Sequence, residues 1–198
     1  MTRLASLLIP VLVLCSCAKG VAPLHEKVAI EGSVATLVGD VDRPGSSSRK
    51  VPVAIIFHGL TGNRNEVQLT AVADSLYGRG IATVKFDFNG HGESEGDFVD
   101  MTLDNEFEDA MAVYAFVASL PWADLDNVFL VGHSQGGLEA GLLAGELGSK
   151  KVKKVVLMAP AACICNMAKD GSMFGNTFNP EDLPDYVEFW KGTNLGKG

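Results

Sequence analysis

The stretch from Asn127 to Leu147 constrains this chain more than any other. An apolar run, Asn127-Val-Phe-Leu-Val131, leads through Gly132-His133-Ser134-Gln135-Gly136-Gly137 into a helical pattern carried by Leu138, Leu142 and Leu147 and stopped by Gly148. A serine held between a buried strand and a helix in this way needs a turn so sharp that its backbone is strained. Gly132 and Gly136 answer the crowding, because side chains there would collide with neighbouring backbone. Ser134 then projects from the strand's C-terminal end, above a helix N-terminus that favours negative charge. In this context G-x-S-x-G marks Ser134 as a candidate nucleophile, the plainer alternative being a serine in an ordinary glycine-rich strand-helix turn.

The same alternation fills the chain on either side. Val51 to Phe57, Ile81 to Asp87 and Lys154 to Met158 are further runs of the kind buried on both sheet faces. Between them, Leu69, Val72, Ala73 and Leu76 recur at helical spacing, and Leu103, Phe107, Ala110, Met111, Tyr114 and Ala118 form a longer stripe. Gly78, Gly80 and Pro121 are the stops. Strand and helix repeated this way predict an α/β fold, a mostly parallel sheet with right-handed crossovers and helices on both faces. Val28 to Ile30 and Val34 to Val41 read as antiparallel lead-in strands. The chain has 198 residues, 47% hydrophobic and 20% charged, with mean hydropathy +0.19, which excludes a disordered or collagen-like polymer and suits one sizeable core. Net charge is −8, and the dense basic cluster Lys150, Lys151, Lys153 and Lys154 is not interleaved with aromatics, so no nucleic-acid partner is expected.

The first residues read as a processing segment. Arg3 is followed by an uncharged apolar run, Leu4 to Leu14, of secretory length and too short to span a bilayer. Leu14-Cys15-Ser16-Cys17 resembles a bacterial lipobox, in which Cys17 carries the lipid and becomes the first mature residue, leaving 1–16 as the signal peptide. Ordinary cleavage near Ala18 is the alternative. The expectation is an exported, membrane-anchored lipoprotein, touching the membrane only through its N-terminal lipid. Cys163 and Cys165 are too close in sequence to bridge without strain and read as packed thiols, and with no histidine or second cysteine pair nearby no metal site is expected.

Two more motifs follow strand ends. Phe57 runs into His58-Gly59-Leu60-Thr61-Gly62-Asn63, and Phe86 into Asp87-Phe-Asn-Gly90-His91-Gly92-Glu93-Ser94. The first resembles the oxyanion loop of α/β-hydrolases and the second their D-x-x-G-H-G-x-S loop. Taken with GHSQGG, and with Phe98 to Glu106, they are similar to the cinnamoyl (feruloyl) esterase group, over about Glu26 to Ala162. The resemblance implies an α/β-hydrolase core over 17–161 and a cap insertion beginning at 162–198. It implies Ser134 as nucleophile, the backbone N–H groups of Leu60 and Gln135 as oxyanion hole, and Gly59, Gly132, His133 and Gly136 as support. His58, tempting as a base, takes a loop-supporting role in this motif, as do Asp87 and His91, which precede the serine whereas the fold orders its triad Ser, acid, His. The implied reaction is hydrolysis of hydroxycinnamate esters of plant-wall polysaccharide, without cofactor.

Phe174, Phe178, Tyr186, Phe189 and Trp190 either line an aryl pocket or pack the cap on the core. All four histidines, His25, His58, His91 and His133, precede Ser134, and Asp170, Glu181, Asp182 and Asp185 lie in the cap stretch. Neither the family's acid nor its base is therefore matched, and the chain reads as truncated before the strands that carry them, hence inactive. The alternatives are another serine hydrolase on this fold (an aminopeptidase, a thioesterase or a lipase-like esterase) and a non-catalytic surface lipoprotein.

Overall fold

Antiparallel strands β1 (Leu24–Glu31) and β2 (Thr36–Arg43) open the fold, paired from Leu24 opposite Arg43 to Glu31 opposite Thr36. In this computed structural model the structure describes residues 21–183, 185–190 and 193–196, and the side chains only as far as Asp185. Cys17 and the apolar run before it lie outside the described residues, as do the side chains of Tyr186, Phe189 and Trp190. β2 pairs antiparallel with β4 (Ala82–Phe86), and β4, β3 (Val51–Phe57), β5 (Ala123–His133) and β6 (Lys154–Met158) run parallel, giving one sheet in the order β1-β2-β4-β3-β5-β6.

Alternation along β3 explains why both faces must be covered. Val53, Ile55 and Phe57 point into the larger core, where Ala110, Val113 and Val117 of α2 (Leu103–Ser119) and Ala140 and Leu143 of α3 (Gln135–Leu147) cover them. Ile56 points the other way, into a smaller cluster with Val131 and with Leu69 and Ala73 of α1 (Val67–Tyr77). Each fully buried large apolar side chain contributes about 1.5–3 kcal/mol. α2 begins with a reciprocal cap: the Thr102 hydroxyl accepts from the Asn105 main-chain N–H at 3.1 Å, and the Asn105 side-chain Oδ1 accepts from the Thr102 N–H at 3.0 Å.

Three details depart from expectation. The buried face of α2 is Glu106, Asp109, Ala110, Val113 and Val117, while Ala118 of the expected stripe is exposed. The helix is thus turned by about one residue, because two carboxylates occupy its inner face and a hydrophobic pattern cannot register them. β5 begins four residues earlier than its apolar run. Its polar start, Asp124-Leu-Asp-Asn127, bulges between the Pro52 and Val53 pairings, with the Asp124 carboxylate accepting from Asn127 at 2.8 Å. Finally, Cys163 and Cys165 are unbridged but exposed, not packed: they flank Ile164, the buried residue of the short helix α4 (Ile164–Lys169). Beyond α4, β7 (Ser172–Met173) pairs with β8 (Asn176–Thr177), and β9 (Tyr186–Trp190) with β10 (Thr193–Gly196).

Candidate active site

Ser134 sits at the junction of β5 and α3 with φ 53° and ψ −118°, a conformation that non-glycine residues rarely adopt. The turn is held through its main chain. The Ser134 N–H donates to the Met158 carbonyl at 2.9 Å, and its own carbonyl accepts from Gly137, Leu138 and Ala161. A Cβ at position 132 would run into the Gly136 carbonyl, and one at 136 into the His58 carbonyl, with the Phe57 carbonyl oxygen only 2.6 Å away. Strand, turn and helix therefore close on one another because both glycines lack side chains.

The loop after β3 lies directly against the serine: a Cβ on Gly59 would stand 3.1 Å from the Ser134 Cβ. Its N-terminal hinge, His58, is buried. The Phe88 N–H donates to His58 Nε2 at 3.0 Å, so the ring proton resides on Nδ1, which donates to the Gly59 carbonyl at 2.8 Å. Burial, reinforced by neighbouring His91, lowers the His58 pKa to about 4. With both ring nitrogens committed to backbone, His58 shapes the loop and has no free nitrogen for a proton from Ser134. Among the described residues no protein acceptor takes the N–H of Leu60 or of Gln135.

The two motif loops are tied together by an ion network that sequence reasoning did not anticipate beyond Asp87. The buried Asp87 carboxylate accepts from the Arg64 N–H at 2.6 Å, from the Glu93 N–H at 2.9 Å and from the Arg64 guanidinium. Arg64, itself 3% exposed, also reaches Asp40 at 2.9 Å and Glu93. Hydrogen bonds from Lys27 and Arg64 hold the Glu93 carboxyl down at about 2. The available signal was Arg64 itself, a lone cation directly after the HGLTGN run.

Behind Gln135 lies a second unanticipated group. Its side-chain amide donates to Glu106, whose carboxyl burial pushes up to about 8. Glu139, one turn along α3, is completely buried with neither oxygen hydrogen-bonded, and burial with the adjacent charge of Glu106 raises it likewise to about 8. No pattern announces a carboxylate on an inner helix face, since such side chains are ordinarily outside. His133 points away from this group, its Nδ1 3.6 Å from Glu66 and 3.4 Å from the Gln68 amide. His91 donates from Nδ1 to the Asn89 carbonyl at 2.9 Å, and its Nε2 is buried without a partner. His25 pairs with Asp42. Among the described residues no group of three or more His, Cys, Asp or Glu side chains is placed to hold a metal ion.

The sequence of residues 49–178 matches a known family, that of the serine aminopeptidases, S33. The chain belongs to that family. Its fold is that of the α/β-hydrolases and resembles the cinnamoyl/feruloyl esterase group: Est1E from Butyrivibrio proteoclasticus, solved with ferulic acid bound, superposes with a TM-score of 0.80 at 34% identity, covering 85% of this chain and 67% of that one. Non-heme chloroperoxidase CPO-A1 from Kitasatospora aureofaciens is 31% identical over 73% of this chain and 51% of its own length. Quorum-quenching protein AidA from Acinetobacter baumannii is 31% identical over 55% of this chain and 35% of its own. The chain thus spans only about a third to a half of the length of these curated relatives. Hydrolase chemistry is what family and esterase neighbours have in common.

Proposed function

We propose that this α/β-hydrolase is a serine carboxylic-ester hydrolase that works through an acyl-enzyme on Ser134, with hydroxycinnamoyl esters of plant-wall polysaccharide as its substrate class. The observation that carries the reading is Ser134 held at positive φ on the strand-helix turn, against Gly59, with the N–H groups of Leu60 and Gln135 taken by no protein acceptor among the described residues. The likeness to Est1E with ferulic acid bound supports the aryl substrate.

The Ser134 hydroxyl attacks the ester carbonyl carbon while its proton passes to a base. The carbonyl oxygen, now an anion, takes hydrogen bonds from Leu60 and Gln135, donors of a kind whose loss typically costs about 10²–10³ in rate. Collapse expels the alcohol, which takes the proton from the base, and water repeats the sequence to free the acid. Among the described residues none of the four histidines is hydrogen-bonded to Ser134: His58 is committed at both nitrogens, His25 and His133 pair with Asp42 and Glu66, and His91 donates from Nδ1 to the Asn89 carbonyl while its Nε2 has no partner.

Added imidazole stands in for that base in the test. The chain should then hydrolyse a chromogenic feruloyl ester faster than a short aliphatic ester or an aminoacyl arylamide, and Ser134→Ala should abolish the gain. Faster turnover of the arylamide would transfer the reading to a peptidase, which the family's name makes the chief rival.

The reading of Leu14 to Cys17 as a lipobox makes the protein an exported lipoprotein, anchored through Cys17. Bacteria fed labelled fatty acid should label the wild type and leave Cys17→Ala unlabelled. Equal labelling of the two would remove the anchor.

A further inference from the structure

Charge is segregated along the axis of the sheet. β3, β4, β5 and β6 all begin at the end opposite Ser134, and the connections there are residues 44–50, 78–81, 120–122 and 148–153. They contain Arg49, Lys50, Arg79, Lys150, Lys151 and Lys153, all exposed, and no acidic residue. At the Ser134 end, connections 58–66 and 87–102 carry Arg64 as the one cation against Glu66, Asp87, Glu93, Glu95, Asp97 and Asp100. A chain of net charge −8 therefore has a cationic pole, although Asp42, Asp124 and Asp126 stand on the strands bordering it and the exposed Asp74 and Glu146 in the last turns of α1 and α3.

The chain enters the fold at that same pole. Val21 is bridged to Ser46, its carbonyl accepting from the Ser46 N–H at 3.0 Å, and the Arg43 guanidinium clamps the Ala22 carbonyl at 2.6 Å. From Cys17 to Val21 is four residue steps, at most about 14 Å of chain. A lipid on Cys17 thus brings this pole to the bilayer surface, within a distance comparable to the Debye length of about 8–10 Å at which exposed charges still interact.

We propose that the pole formed by these connections docks on anionic phospholipid headgroups, so that Ser134 faces away from the bilayer. The orientation rests on the Cys17 anchor proposed above. The docking itself rests on the charge segregation. Basic side chains near an anionic surface attract it additively, and the acidic Ser134 end is repelled.

The two parts are tested separately. With the 198-residue Cys17→Ala chain, which lacks the lipid-bearing thiol, co-sedimentation is compared on vesicles of phosphatidylcholine with phosphatidylglycerol and on phosphatidylcholine alone. The N-terminal segment, with Arg3 and Lys19, is common to every variant, so a loss in K150Q/K151Q/K153Q isolates the pole. We expect about a tenfold or greater preference for the anionic vesicles at low salt, abolished at high salt. K150Q/K151Q/K153Q should remove most of that preference, whereas Lys169→Gln on α4 should leave it intact. Equal partition on the two vesicles, an unaltered preference in the triple variant, or tighter capture by duplex DNA than by anionic vesicles would overturn the docking surface. Failure of fatty-acid labelling, by contrast, removes only the anchor and the orientation it imposes.

Discussion

At the scale of single residues, the site is organised by groups that carry no chemistry of their own. Asp87 holds the Arg64 main chain and guanidinium and the Glu93 N–H at once, joining the loops after β3 and β4. Asp87→Ala leaves a buried guanidinium short of one carboxylate, and breaking buried pairs costs about 3–5 kcal/mol. Because Asp40 and Glu93 remain to Arg64, the lower end is expected, read from the urea midpoint. His58 gives a sharper test. Its folded pKa of about 4 lies below the usual 6.5, so the unfolded chain binds more protons between those values and stability contributed by His58 is lost as pH falls through that window. In NMR the ring should remain neutral, protonated at Nδ1, down to about pH 4. A midpoint near 6.5 would show the ring to be solvated and the loop differently held.

At the scale of elements, α3 shows how one helix contains both intolerant and permissive glycines. Gly136 abuts the β3 backbone, while nothing lies within 4 Å of a Cβ at Gly141. Gly136→Ala should cost about 3 kcal/mol through overpacking, with loss of Ser134-dependent chemistry. Gly141→Ala should stabilise by about 0.5–1 kcal/mol, since alanine is the better helix former. Paired thermal melts check both. The contact between α2 and α3 makes a pH-dependent prediction. Glu106 and Glu139 have folded pKa values near 8, above the unfolded 4.5, so the folded state binds more protons between these limits and stability must fall as pH rises through them. Facing them are the Gln135 amide, Asp104 and Asp109. Glu139→Gln should flatten the fall between about pH 5.5 and 8.5, a slope of at most about 1.4 kcal/mol per pH unit for one group. Identical slopes in the two proteins would mean that Glu139 is hydrated and ionised.

At the scale of the whole molecule, the Ser134 turn and the loop after β3 are assembled on the core with no histidine hydrogen-bonded to Ser134 among the described residues. Without added imidazole, ester hydrolysis by these 198 residues should equal that of Ser134→Ala, because serine is a weak nucleophile when no base takes its proton. Robust Ser134-dependent turnover would show that one of the four histidines reorients. His91 would be mutated first, as its Nε2 is uncommitted. The sheet has a second consequence: β6 pairs on one side only among the described residues, and its Val156 and Leu157 are 51% and 48% exposed. Dynamic light scattering should find association that a charged substitution at Val156 reduces.

How much of this was legible in advance follows from the range of the forces involved. The parallel strands, the three long helices and the glycine-flanked serine are local matters of hydrophobic period and backbone sterics, and the sequence alone determined them, β6 to the residue. The strand order, with β2 and β4 between β1 and β3, depended on which edges met in space. So did the rotation of α2: its inner face carries Glu106 and Asp109, and only tertiary partners, Gln135 for one and Ser33 and Asn89 for the other, make a buried carboxylate affordable. The tautomer of His58 was decided by an N–H from Phe88, thirty residues away. Local periodicity fixes where the chain becomes helix or strand, whereas the state of a buried polar group is set by whichever distant atom desolvation forces it to find.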